Sequence, residues 1–93
     1  MPELEDIRAD IDKLDEELIK ILAKRIELTR YVRDYKKQHN LSALSPDRWQ
    51  QLTKKHKKIA SEMGVDYRLI EPIFDCIHKY VLNNVHKDLS KSN

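Results

Sequence analysis

Four basic residues stand out by where they fall in the chain: Arg8, Arg25, Lys36 and Arg48. Arg25 occupies the one break in an otherwise apolar series, Ile7, Ile11, Leu14, Leu18, Ile21, Leu28 and Val32. Lys36 follows eleven residues later, which at ~100° per residue returns to within ~20° of the same helical face. Arg8 lies beside that series, and Arg48 lies just past Ser45-Pro46-Asp47. Cations on an apolar stripe are costly to bury unless an anion is buried with them. The chemistry they suggest is recognition of an anionic ligand.

The other reactive side chains point less clearly to a site. Cys76 is the only cysteine, so no intrachain disulfide can form. In a predicted helix with nothing basic arranged to activate it, it reads as a small buried or half-buried hydrophobe. His39, His56, His78 and His86 lack metal-ligand spacing with acids on one face, so neither metal nor cofactor is expected. His56 reads as a packed or boundary histidine. The run Lys54-Lys55-His56-Lys57-Lys58 spreads around a helix axis with no aromatic between its lysines, which favours a solvated face over a nucleic-acid site.

The elements that must position the cations follow from periodicity and punctuation. Steps of four and three from Ile7 to Val32 form the seam of a helix packed on another helix, predicted over about 4–38. Acids come early in it (Glu3, Glu5, Asp6, Asp10) and bases late (Arg30, Arg33, Lys36, Lys37), matching the helix dipole. Ser45-Pro46-Asp47 reads as an N-cap, a first-turn proline and a first-turn acid, starting a second helix over about 46–62. Gly64 is the single glycine and stands where a left-handed helix end is wanted. Asp66 then caps a third helix over about 67–87, with Ile70, Ile73, Phe74, Ile77, Val81 and Val85 as its stripe and Pro72 in its second turn. Residues after Asp88 are expected to fray.

These 93 residues, 37% of them charged, suit one small all-α domain spanning 1–93. A 35-residue helix is ~52 Å long, too long for two shorter helices to cover in a compact monomer. An oligomer is therefore expected, most simply a symmetric dimer that pairs the first helices. Arg8 and Arg25 are ~25 Å apart along one helix, so they can share a small ligand only if Arg8 comes from an antiparallel partner. The net charge of +2 provides no global field of the kind that marks nucleic-acid or membrane binders. No apolar run approaches the ~18 residues of a membrane span, and no signal-peptide core is evident, so the cytoplasm is the expected compartment.

The segment Ile7-Arg8-x-x-Ile11-Asp12-x-Leu14-Asp15-x-x-Leu18, followed by Arg25 and Lys36, resembles the first-helix signature of the all-helical (AroQ-class) chorismate mutases. Leu44-Ser45-Pro46-Asp47-Arg48 is similar to the loop-to-helix segment carrying that family's third arginine. The resemblance runs ungapped from about Ile7 to Val85. It implies an intertwined homodimer of three-helix chains, a place in the shikimate pathway of aromatic amino acid biosynthesis, and rearrangement of the dicarboxylate chorismate to prephenate. Carried over by position, Arg25 and a partner's Arg8 would clamp carboxylates, Lys36 would donate to the breaking ether oxygen, and Arg48 would line the pocket near the pyruvyl end. Four further positions that the resemblance places at the pocket depart from the family. Trp49 and Ser45 stand where acids are usual, Val85 where a Gln or Glu faces the ether oxygen, and Val81 where a small polar residue sits. Valine donates no hydrogen bond, and by analogy losing one oxyanion donor costs ~10²–10³ in rate. Three readings remain open. One is a chorismate mutase, slow or specialised. Another is an isochorismate pyruvate lyase or aminodeoxychorismate mutase on the same scaffold, prompted by Trp49. The last is a non-catalytic dimeric module that binds a carboxylate metabolite or a partner enzyme.

Overall fold

The first helix projects well beyond the elements it packs against. The computed structural model describes residues 3–90 and measures 57 × 24 × 16 Å. Its radius of gyration is 16.8 Å, against about 12 Å for a compact chain of this length. Three α-helices and no strand are present among the described residues: α1 (Leu4–Gln38), α2 (Pro46–Met63) and α3 (Tyr67–Tyr80). The all-α expectation holds.

Local chemistry sets the helix ends. α1 closes with Asn40 in a left-handed conformation (φ 55°) while Leu41 N–H donates back to the Lys36 carbonyl at 2.7 Å. Asparagine tolerates that conformation better than most side chains, and the bond satisfies a carbonyl the helix end would otherwise leave open. Gly64 does the same for α2 at φ 69°, with Val65 N–H donating to the Ala60 carbonyl at 2.8 Å. The Asp66 carboxylate caps α3 by accepting from Arg68 N–H at 2.8 Å. Ser45 stands at the N-cap of α2, but its hydroxyl makes no capping bond; a stronger donor claims it, as described below.

The third helix does not continue as an α-helix to Lys87. After Tyr80 it widens into a π-helical turn, Val81–Val85, in which His86 N–H donates to the Val81 carbonyl at 2.8 Å. Such a turn takes in one extra residue and rotates everything after it relative to α-helical register. Leu89 and Ser90 are tied down rather than frayed: Leu89 is buried, and the Ser90 carbonyl accepts from Ala43 N–H at 2.6 Å. Residues 91–93 lie outside the described residues.

α2 packs on α3, and the π-turn packs on α1. The buried apolar residues are Ala43, Ala60, Val81, Val85 and Leu89, joined by His86. None of α1 is buried; its seam residues Ile11, Leu14, Leu18, Ile21 and Leu28 are each at least half exposed. Cys76 is exposed rather than packed; it lies ~60° around α3 from Ile73, at the edge of the stripe where Ile73 is itself exposed.

Candidate active site

Periodicity on α1 builds one wall of a cleft. Arg25, Thr29, Val32 and Lys36 follow one another at steps of four and three, so all four share a face. The opposite wall comes from α2 through Arg48, Trp49 and Leu52, and the floor from His78, Val81, Leu82 and His86. Ala43 and Ser45 of the connecting loop close one end. The half-open cleft has a volume of about 190 Å³, smaller than the ~300–1,000 Å³ usual for ligand pockets.

The cleft is electrostatically one-sided. No carboxylate is among the described residues that line it. Arg8, Arg30, Arg33 and Arg68 all pair with nearby acids, but none of Arg25, Lys36 and Arg48 pairs with a carboxylate among the described residues. Burial, and next the charge of Arg48, push the Arg25 guanidinium below its ordinary value. Burial alone does the same to the Lys36 ammonium. Like charges gathered around a half-buried cleft destabilise it, and an anionic ligand relieves that.

Lys36 is held in place by the loop. Its Nζ donates to the Ala43 carbonyl at 2.9 Å and to Ser45 Oγ at 3.0 Å. An ammonium is a stronger donor than a backbone N–H, so the Ser45 hydroxyl turns toward Lys36 instead of capping α2. An ammonium has three N–H bonds, and the third remains for a ligand. The Arg25 guanidinium lies 5.9 Å from the centre of the Phe74 ring, whose other neighbour is the His56 ring at 4.1 Å. Burial, then the charges of Arg25, Lys55 and Arg48, lower the His56 proton affinity.

The structure thus gathers Arg25, Lys36, Ser45, Arg48, Trp49 and Val81 around one cleft. It leaves two predicted site residues elsewhere. Arg8 is exposed near the far end of α1, with Nη1 3.1 Å from Glu5 Oε1. Val85 is buried but does not line the cleft, because the π-turn rotates the residues around it out of the ungapped register. Asn84 faces outward and donates to the Tyr80 carbonyl at 3.0 Å.

Two histidines enter where sequence reasoning had placed valines alone. His86 is buried, and its Nε2 lies 2.9 Å from the Thr29 carbonyl. A carbonyl only accepts, so Nε2 carries the hydrogen. His78 lines the cleft with its ring stacked on Trp49 at 4.4 Å. His78 reaches the cleft from α3 itself, whereas His86 follows the π-turn and reaches it in the register that turn sets.

Comparison with known proteins agrees with this geometry. A profile of chorismate mutase type II matches residues 7–85. The T-protein of Haemophilus influenzae is 38% identical over 73 residues, covering 78% of this chain and 19% of that protein. The bifunctional chorismate mutase/prephenate dehydratase of Aquifex aeolicus is 30% identical over 63 residues, or 68% of this chain and 17% of its own length. The 4-amino-4-deoxychorismate mutase of Streptomyces venezuelae is 28% identical over 75 residues, covering 81% of this chain and 73% of that protein. The chain therefore spans about a fifth of the first of these relatives and most of the last. No solved structure shows a significant match. With its profile match running through all three helices and the cleft between them, the chain belongs to the chorismate mutase type II family.

Proposed function

We propose that the chain, as one unit of residues 1–93, is a chorismate mutase that works as an antiparallel homodimer. The single observation that carries this reading is the set Arg25, Lys36 and Arg48, around a cleft that no carboxylate lines and unpaired with any acid among the described residues. Such a set suits a small dianion.

In the proposed reaction the ether C–O bond of chorismate breaks as a C–C bond forms, and the electrons move in a closed ring. Atoms are conserved and no protein group exchanges a proton. The protein's task is to hold the flexible dianion in a reactive chair and to stabilise negative charge growing on the ether oxygen. Arg25 and Arg8 of the partner subunit each grip a carboxylate, Arg48 lies by the pyruvyl end, and the third Lys36 N–H meets the ether oxygen. Ser45 holds Lys36 on target. Trp49 and Val81 contribute shape.

Two observations support the dimer. The α1 seam is exposed along most of its length, and Arg8 lies too far from Arg25 to reach the same ligand within one chain. The proposal includes a cytoplasmic location; no helix among the described residues is long and apolar enough to cross a membrane.

A second reading, action on an amino-substituted chorismate, is favoured by the Streptomyces relative and by Trp49 in place of an acid. The absence of a carboxylate from the cleft lining weighs against it, because a ring ammonium would find only cations and neutral groups there. The test is to offer purified protein chorismate and its 4-amino analogue separately, following substrate absorbance and product identity. Conversion of chorismate to prephenate, lost in Arg25→Ala with helical circular dichroism retained, is the expected outcome. Turnover of the amino analogue alone, or of neither substrate, contradicts the proposal.

A further inference from the structure

The three cations answer the two carboxylates and the developing charge of the substrate, but a chorismate-like dianion also carries uncharged oxygens. Most neutral polar groups around the cleft are already engaged. The Ser45 hydroxyl accepts from Lys36, the Thr29 hydroxyl bonds the Ile26 carbonyl, and His86 Nε2–H donates to the Thr29 carbonyl. His78 differs. Its ring lines the cleft, half-buried, and stacks on Trp49 with centroids 4.4 Å apart. Neither of its ring nitrogens has a hydrogen-bond partner among the described residues. A neutral imidazole offers one N–H donor and one acceptor lone pair; a hydroxyl can use either, and an ether oxygen can accept from the donor.

We propose that His78 is a substrate-contacting residue: its neutral imidazole, packed at a tilt against Trp49, hydrogen-bonds an uncharged oxygen of the bound dianion. The inference rests on the functional reading above and assigns a role that the sequence pattern gave to no histidine. The surroundings keep the ring neutral. Arg25 and Lys36 face it from α1, His86 faces it from beyond the π-turn, and Arg48 lines the same cleft from α2; against these stands only Asp75, on its own helix. Burial and the cations outweigh Asp75, so its proton affinity falls below that of an ordinary imidazole.

Two variants separate hydrogen bonding from packing. His78→Phe keeps an aromatic ring against Trp49 and removes both nitrogens, whereas His78→Gln keeps a donor and an acceptor and gives up the ring. With chorismate as substrate, His78→Phe should lose ~10–100-fold in kcat/KM while His78→Gln stays within ~5-fold of the wild type. The wild-type pH profile should bend below the ordinary imidazole range, and His78→Gln should remove that bend. If His78→Phe fails to fold, the profiles of the wild type and His78→Gln still decide the matter. A His78→Phe protein as active as wild type, or a bend that survives in His78→Gln, overturns the inference alone. A wild type that neither binds nor converts chorismate overturns the functional reading and this inference with it.

Discussion

Replacing Lys36 with Met separates the two tasks this side chain performs. The substitution keeps the aliphatic stem and removes the ammonium, and with it the bonds to Ala43 O (2.9 Å) and Ser45 Oγ (3.0 Å). Hydrogen bonds from a charged donor contribute ~1.5–3 kcal/mol each when fully formed, but this ammonium is partly solvated and carries a burial penalty that the variant relieves. A net loss of ~1 kcal/mol follows, or a fall in Tm of ~4–8 °C for a domain of this size. Such a loss leaves the protein folded at assay temperature. The same change removes the donor aimed at the ether oxygen, for which ~10²–10³ in kcat/KM is expected. Thermal unfolding and chorismate consumption, measured on one preparation, read the two effects separately. A variant with lowered Tm and kcat/KM within threefold of wild type would make Lys36 a pin for the loop and nothing more, and would refute the electrostatic argument.

Two further outcomes follow from the geometry. Val85→Gln restores the residue type usual at that position of the family, yet Val85 is buried away from the cleft. It should cost ~1–3 kcal/mol in chemical denaturation by burying an amide, with no gain in turnover; faster turnover would show that the side chain reaches the ligand. Stability should also fall on acidification. His56 and His78 both have folded-state proton affinities below the ordinary imidazole value, so the unfolded chain takes up protons first. Their contribution is complete above pH ~6.5 and is lost as pH falls from there toward their folded values. A Tm that rises between pH 7 and 5 would contradict this sign.

The parts of the fold that were legible in the sequence are those fixed by local chemistry. The four-and-three steps of α1, the Pro46 start of α2, the left-handed Gly64 and the Asp66 cap each depend on a few neighbouring residues, and each forms as read. The unpaired cations were legible because Arg25 interrupts an apolar series. What escaped depends on packing between distant elements. The π-turn at Val81–Val85 carries no local signature, and an ungapped α-helical register placed Val85 at the cleft where the structure brings His86. The Ser45 hydroxyl was read as a cap because its neighbours in sequence call for one, while Lys36, nine residues away, claims it as a stronger donor. Arg8 could be given a role only through a second chain, which no single-chain pattern places.

The central claim is that each site is shared between two chains, with Arg25 from one and Arg8 from the other. The most direct test mixes two variants, Arg8→Ala and Arg25→Ala, each expected to be inactive, after unfolding and refolding them together. Random pairing makes about half the dimers mixed, and each mixed dimer holds one intact site and one doubly damaged site. Activity should therefore return to about a quarter of that of the wild type at equal chain concentration. A mixture as inactive as its components, with mixed dimers demonstrated by mass, would show that Arg8 and Arg25 do not meet across the dimer.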